Sequence, residues 1–206
     1  MYNKNPMGIE NESMDIIEGV MHDTFFSEDE KTVVKRMIHT TGDYEYRNLV
    51  VFKNDFVNIA MKALKQGGTI FTDTKMAFQG INKKALERVG LEIKYFIDDE
   101  LTWKLSKEKN TTRSAISAER ACEEGIKMFV IGNAPTALFR LMELFEEGKL
   151  NPDFIVGVPV GFVGAAQSKE ALRKLDIPSV TTVGSKGGSN VAASVINALL
   201  YMISPR

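Results

Sequence analysis

The chain is expected to fold as an α/β protein, a mainly parallel sheet flanked by helices, with glycine-rich turns at the strand carboxyl ends. Three successive stretches carry that expectation. Residues 126–131 run into Gly132-Asn133-Ala134-Pro135-Thr136, residues 154–158 into a turn holding Pro159, Gly161 and Gly164, and residues 179–183 into Gly184-Ser185-Lys186-Gly187-Gly188-Ser189. Each is an apolar run, a glycine turn and then a helix pattern. Repeated strand–turn–helix units imply right-handed crossovers and a parallel sheet. Ligands of such sheets bind outside the carboxyl ends of the strands. The turns therefore mark a candidate ligand site.

The remaining elements follow in order. After an irregular start, residues 13–22 read as a helix with Met14, Ile17 and Met21 on one face. Ser27-Glu28-Asp29-Glu30 has capping-box spacing, and its acidic residues suit the positive end of a helix running to about His39, before Gly42. Residues 49–52 form a short strand. Asn54 is expected to cap an amphipathic helix through Phe56, Val57, Ala60, Met61 and Leu64, closed by Gly67-Gly68. A strand over 69–72, a short helix over 82–89, a strand over 91–97 and a helix over 114–124 lead into the three units above. With no internal repeat or long linker, residues 1–206 read as one domain, large enough for a core without staples.

Composition narrows the class. The 26 basic and 27 acidic side chains leave no electrostatic footprint for nucleic acid or an anionic membrane. The single cysteine, Cys122, cannot close an internal disulfide and suits a packing role in a reducing compartment. The stretch MYNKNPMGIENES lacks the apolar centre of a signal peptide, and no apolar run is long enough to span a bilayer. The expectation is a cytoplasmic protein.

His39 is the sharpest single candidate for chemistry. The Ser27-capped helix has an apolar stripe of Val33, Val34, Met37 and Ile38, while Arg36 and His39, three apart, project together from another face. A cation beside an imidazole can bind an anionic ligand and move a proton near neutral pH. The plainer reading is a histidine that favours the negative end of its helix. At the glycine turns, backbone N–H groups at helix N-termini favour an anion. Lys169, Lys186 and Arg113 would add positive charge, and Arg113 can clamp a carboxylate with two hydrogen bonds. Alternatively, the glycines only turn the chain.

Several classes are disfavoured. The glycines at 157, 161 and 164 lack dinucleotide-loop spacing, and no P-loop lysine follows them. There is no CxxC and no HExxH, so a zinc site is not expected. Asp73, Asp98 and Asp99 either hold Mg²⁺ or, more simply, serve as turn and capping residues. Ser114 and Ser168 lack a nucleophile-elbow context. The residues alone describe an anion-binding α/β enzyme with one acid–base histidine.

Longer motifs name a family. GNAPTALFRLMEL from Gly132, GVPVGFVGAAQSKEAL from Gly157 and SKGGSNVAASVINALLY from Ser185 resemble the precorrin-8X methylmutases of cobalamin biosynthesis. So do RMIHTTGDYEY from Arg36, FTDTKMAFQGINKKAL from Phe71, TTRSA from Thr111, and the pattern of Ile9, Ser13 and Ile16-Ile17. The wording around His39-Thr40-Thr41-Gly42-Asp43 is most similar to the cobalt-dependent, anaerobic branch. The resemblance implies an α/β homodimer that isomerises a tetrapyrrole by moving a methyl group from C-11 to C-12 on ring C. It implies no cofactor. It assigns His39 as proton donor and acceptor, and Ser13, Arg36 and Arg113 as substrate contacts. Gln167 departs from the family's usual glutamate before Ser168 and is given no catalytic role.

A homodimer is also suggested by the aliphatic segment 191–202, apolar on more than one face. Phe162 and Val163, in the turn after residue 158, would cover a face of the macrocycle. Two other functions stay open at this point: an S-adenosylmethionine- or nucleotide-dependent α/β enzyme, and a tetrapyrrole carrier without catalysis.

Overall fold

A computed structural model describes residues 4–205; the first three residues of the N-terminal stretch read above, and residue 206, lie outside it. The chain enters through α1 (Pro6–Glu18) and α2 (Glu28–Thr41), then a short α3 (Tyr46–Leu49) and β1 (Val50–Lys53). Next come α4 (Phe56–Lys65), β2 (Gly68–Thr72), α5 (Lys75–Gly80), α6 (Lys83–Val89), β3 (Leu91–Lys94) and α7 (Glu100–Glu108). The second half alternates regularly: α8 (Arg113–Glu123), β4 (Met128–Ile131), α9 (Pro135–Glu146), β5 (Phe154–Gly157), α10 (Ala165–Leu172), β6 (Ser179–Thr182) and α11 (Ser189–Ile203). This is the expected α/β architecture.

The six strands lie in the order β1-β6-β5-β4-β2-β3, and every neighbouring pair is parallel except β1 with β6. Strands buried on both faces read as near-continuous apolar runs, as β4 and β5 do, whereas β6 buries Ser179, Thr181 and Thr182. In the central strands, alternate residues accordingly feed two cores. Met128, Val130, Phe154 and Val156 pack with α2, α4, α6 and α11. Phe129, Ile131 and Ile155 pack with α8, α9 and α10. α11 runs through the first core against α2, α4, α5 and α6. Its all-round apolar character is therefore satisfied within the chain, and the argument from segment 191–202 to a dimer falls.

Local signals set the helix ends. Ser27 Oγ accepts from the Glu30 N–H at 3.3 Å and Glu30 returns a carboxylate oxygen to the Ser27 N–H at 2.8 Å, so the capping box forms as expected. The helix closes at Gly42, whose φ of 66° is a left-handed cap that few other residues adopt cheaply. α1 starts earlier than expected, at Pro6, and ends at Glu18 before Gly19, because proline suits a first helical turn. Asn54 is not the cap of α4: it and Asp55 both have positive φ, and neither side chain caps the helix. β3 stops at Lys94 because its only partner is the Gly68–Phe71 stretch of β2.

The antiparallel β1 matters most for function. Parallel strands bring their carboxyl ends, and the turns after them, to one edge of the sheet. By running backwards against β6, β1 starts at that same edge, with Val50 opposite Thr182. The C-terminal end of α2 and the loop beyond it are thereby delivered to the glycine turns.

Candidate active site

α2 carries His39 in its last turn, exposed, with no hydrogen-bond or ion-pair partner among the described residues. It lines a recess of about 220 Å³ together with Ser13, Ile16, Ile17, Ile38, Gly42 and Tyr44. Ser13 sits on the facing side of α1, its hydroxyl donating back to the Ile9 carbonyl at 2.8 Å. The walls are thus mainly apolar, with an imidazole and a hydroxyl at the rim. Such a recess suits the edge of a flat conjugated ligand with a protonatable position.

Arg36 does not share this recess. Its guanidinium donates to Glu10 at 2.8 Å and stacks over the Tyr201 ring, 5.3 Å from the centroid. It lines a second hollow with Met14, Thr32, Lys35 and Tyr201. The expectation that Arg36 and His39 project together is therefore corrected. α1 lies between the two openings, presenting Ser13 to one and Met14 to the other. Arg113 is further removed: it opens α8, exposed, on the opposite face of the sheet from α2. Thr112, its neighbour, bonds Thr136 at the start of α9, so Arg113 does reach the carboxyl edge.

The three glycine turns differ in use. After β4, the N–H groups of Gly132, Asn133 and Ala134 all donate to the Asp73 carboxylate at 2.8–3.0 Å. Those donors are spent internally, so this turn is not an anion site. Asp73 is fully buried, and burial raises its pKa even though the N–H groups pull the other way. It is a capping residue. Asp99 pairs with Arg120 at 2.7 Å, Asp98 lies in the turn before α7, and no acidic, histidine or cysteine cluster among the described residues could hold a metal.

After β5, the turn leaves Phe162 94% and Val163 91% exposed, with Val160 also outward. After β6, Lys186 reaches across to Asp43 at 2.5 Å and to Glu45, tying the His39 end of α2 to this loop. Its pKa is raised by those two partners. Lys169, expected to add charge to the ligand site, is instead fully buried. Glu10, Tyr44 and Tyr201 escaped the sequence reading. The one signal for Glu10 was its place three residues before Ser13 on the same helical face.

Comparison with known proteins decides what this arrangement belongs to. Residues 8–202 match the family described as precorrin-8X methylmutase. The chain belongs to the precorrin-8X methylmutase family. It is 43% identical to the cobalt-precorrin-8 methylmutase of Salmonella typhimurium, over 97% of each chain. It is 40% identical to a precorrin-8X methylmutase from Sinorhizobium sp, over 84% of each. A crystal structure of precorrin-8x methyl mutase from Thermus thermophilus superposes with a TM-score of 0.88, at 34% identity and 96% coverage of each chain. A methylmutase is an isomerase, so the S-adenosylmethionine- or nucleotide-dependent enzyme and the passive carrier give way to that class.

Proposed function

We propose that this methylmutase moves the methyl group on ring C of (cobalt-)precorrin-8 from C-11 to C-12, yielding (cob)yrinic acid in cobalamin biosynthesis, with His39 as the proton donor and acceptor. The observation that carries the residue assignment is the recess that holds His39 opposite Ser13, with apolar walls between them. A 1,5-sigmatropic methyl shift stays within one molecule and changes no oxidation state. The protein has only to fix the macrocycle and polarise its conjugated system. A hydrogen bond or proton from His39 at ring C does that, and general acid catalysis contributes about 10²–10⁴-fold.

At about 220 Å³ the recess holds an edge of a tetrapyrrole, not the whole; sites for drug-sized ligands run to roughly 300–1,000 Å³. The rest of the macrocycle lies over the exposed Phe162 and Val163, while Ser13, Arg36 and Arg113 hold peripheral acetate and propionate groups. For Arg36 this requires exchanging the Glu10 carboxylate for one of the substrate. Single-domain organisation over residues 1–206 and a cytoplasmic location accompany this reading. No helix among the described residues is long and apolar enough to cross a membrane. A homodimer accompanies it too, supported by the family and by the outward Met7 and Ile9 of α1. Light scattering showing a monomer at working concentration would remove the dimer.

The test is incubation of dialysed protein with metal-free and with cobalt-loaded precorrin-8, following the corrin absorption spectrum. Turnover is expected without added S-adenosylmethionine, nicotinamide or ATP. Strict dependence on any of them overturns the reaction as written, and comparing the two substrates shows whether the cobalt-loaded or the metal-free form is turned over.

A further inference from the structure

Among the described residues, two ionisable side chains are fully buried, Asp73 and Lys169. Asp73 has its three N–H donors. Lys169, on α10, has no carboxylate. Its Nζ donates to Thr182 Oγ1 at 3.0 Å and to the Lys186 carbonyl at 2.8 Å. Thr182 Oγ1 donates to the same carbonyl at 2.6 Å. The charged group that acts on it most is Arg173, just past the end of α10, which donates to Thr181 Oγ1 and the Thr182 carbonyl. Glu170, next to it on α10, points to solvent. Burial, with Arg173 second, lowers the Lys169 pKa to about 8. A methionine of similar length would avoid the desolvation cost of an amine here. What lysine adds is a hold on the Lys186 carbonyl.

That carbonyl belongs to a loop with fixed neighbours. Gly161 donates to the Ser185 carbonyl at 3.0 Å and Gly188 to the Val158 carbonyl at 2.9 Å. A side chain at Gly187 would strike the Val158 carbonyl, so the loop lies flat on the exit of β5. Outward from the same residue, the Lys186 ammonium binds Asp43 and Glu45. The Asp43 N–H donates to Thr41 Oγ1, which itself donates to the Met37 carbonyl in the last turns of α2. A continuous set of contacts therefore joins the buried amine to the turn that bears His39.

We propose that Lys169 is a positioning residue: by holding the Lys186 carbonyl from below, it sets the strap from Lys186 to Asp43 and Glu45 and so fixes His39 against ring C. This rests on the role given to His39 above. Misplacing a catalytic group by about 1 Å can lower a rate by ~10²-fold.

The experiment compares Lys169→Met, Lys186→Met and the double variant. Each should bind the corrin product within about threefold of the parent while kcat falls by roughly 10–100-fold. The double should lose no more than the worse single, because both act through one strap. The chain has two histidines, so their imidazole proton resonances separate readily by NMR. The His39 resonance should move in both single variants. His22, whose ring bonds the Gly19 carbonyl and Asp23 nearby, should stay in place. Unchanged kcat, losses that multiply in the double, or an unmoved His39 resonance overturns the proposal. Should Lys169→Met fail to fold, Lys186→Met decides by the same readings. Normal turnover by His39→Ala would defeat the catalytic role of the histidine, and the NMR arm would still judge the strap.

Discussion

Two turns at the same sheet edge, built from the same strand–glycine–helix layout, are put to opposite uses. At 132–134 the backbone donors close on the buried Asp73, and the turn contributes to stability. At 158–164 the chain leaves two apolar side chains almost wholly in water, which a fold gains nothing by doing alone. The difference teaches that a glycine turn is a site only where its groups remain unspent. It also separates residues that hold the protein together from residues left free for a ligand or a partner.

The largest effect expected on the open side is at His39. Its side chain is exposed and unpartnered among the described residues. His39→Ala should lower kcat about 10²–10⁴-fold, or about 3–5.5 kcal/mol. Its stability should change by no more than about 1 kcal/mol, the usual worth of a cation at a helix end. Product should still bind, since the macrocycle walls and carboxylate contacts remain. Turnover assays alongside absorbance titration check both; near-normal turnover would take the histidine out of the mechanism.

The closed side should show the reverse. Asp73→Ala strands three donors at a buried turn and should lower unfolding free energy by about 3–5 kcal/mol in urea titration. Any folded remnant should retain its rate per active molecule. A change below 1 kcal/mol would mean that water or a shifted backbone satisfies those donors, and the contrast between the two turns would weaken.

Legibility in the sequence divides along a related line. Signals carried within a few residues were readable: the Ser27 box, the Gly42 stop and the three strand–turn–helix units. The sequence makes Asp73 a candidate cap, but its partners lie 59–61 residues away, so only the fold shows which turn it closes. Lys169 looked like a surface cation because Gln167, Glu170 and Arg173 surround it in a polar stretch. α7 carries no legible stripe, because its buried positions are Thr102 and Ser106 while Leu101 and Trp103 face out, which inverts the usual pattern. The long motifs made the family legible; the separation of Arg36 from His39 by α1 was not, since spacing on one helix says nothing of what packs between.

Arg36 tests an intermediate case, a proposed ligand contact that already has an internal partner in Glu10. Arg36→Ala should weaken product binding by about 1.5–3 kcal/mol, the range for a charged hydrogen bond. Activity should survive at high substrate. Glu10→Gln is expected to tighten binding slightly, because it removes the carboxylate that competes for the guanidinium. If both variants bind as the parent does, the pair is structural and belongs with Asp73.

The smallest effect should come from Phe162, and it bears most directly on why the open turn is open. A phenylalanine that is 94% exposed makes almost no contact in the folded chain. Phe162→Ser should therefore alter stability by less than about 0.5 kcal/mol, as for other surface substitutions. If the ring covers the macrocycle, that same change removes part of the roughly 1.5–3 kcal/mol that burying a phenylalanine supplies. Product affinity should fall by about 1 kcal/mol, or ~5-fold. Titrating product while monitoring thermal unfolding of the same variant separates the two. Lost affinity with unchanged stability puts the ring on the ligand. Unchanged affinity with a shifted oligomeric state would put it at a contact between copies instead, and the open turn would serve assembly before catalysis.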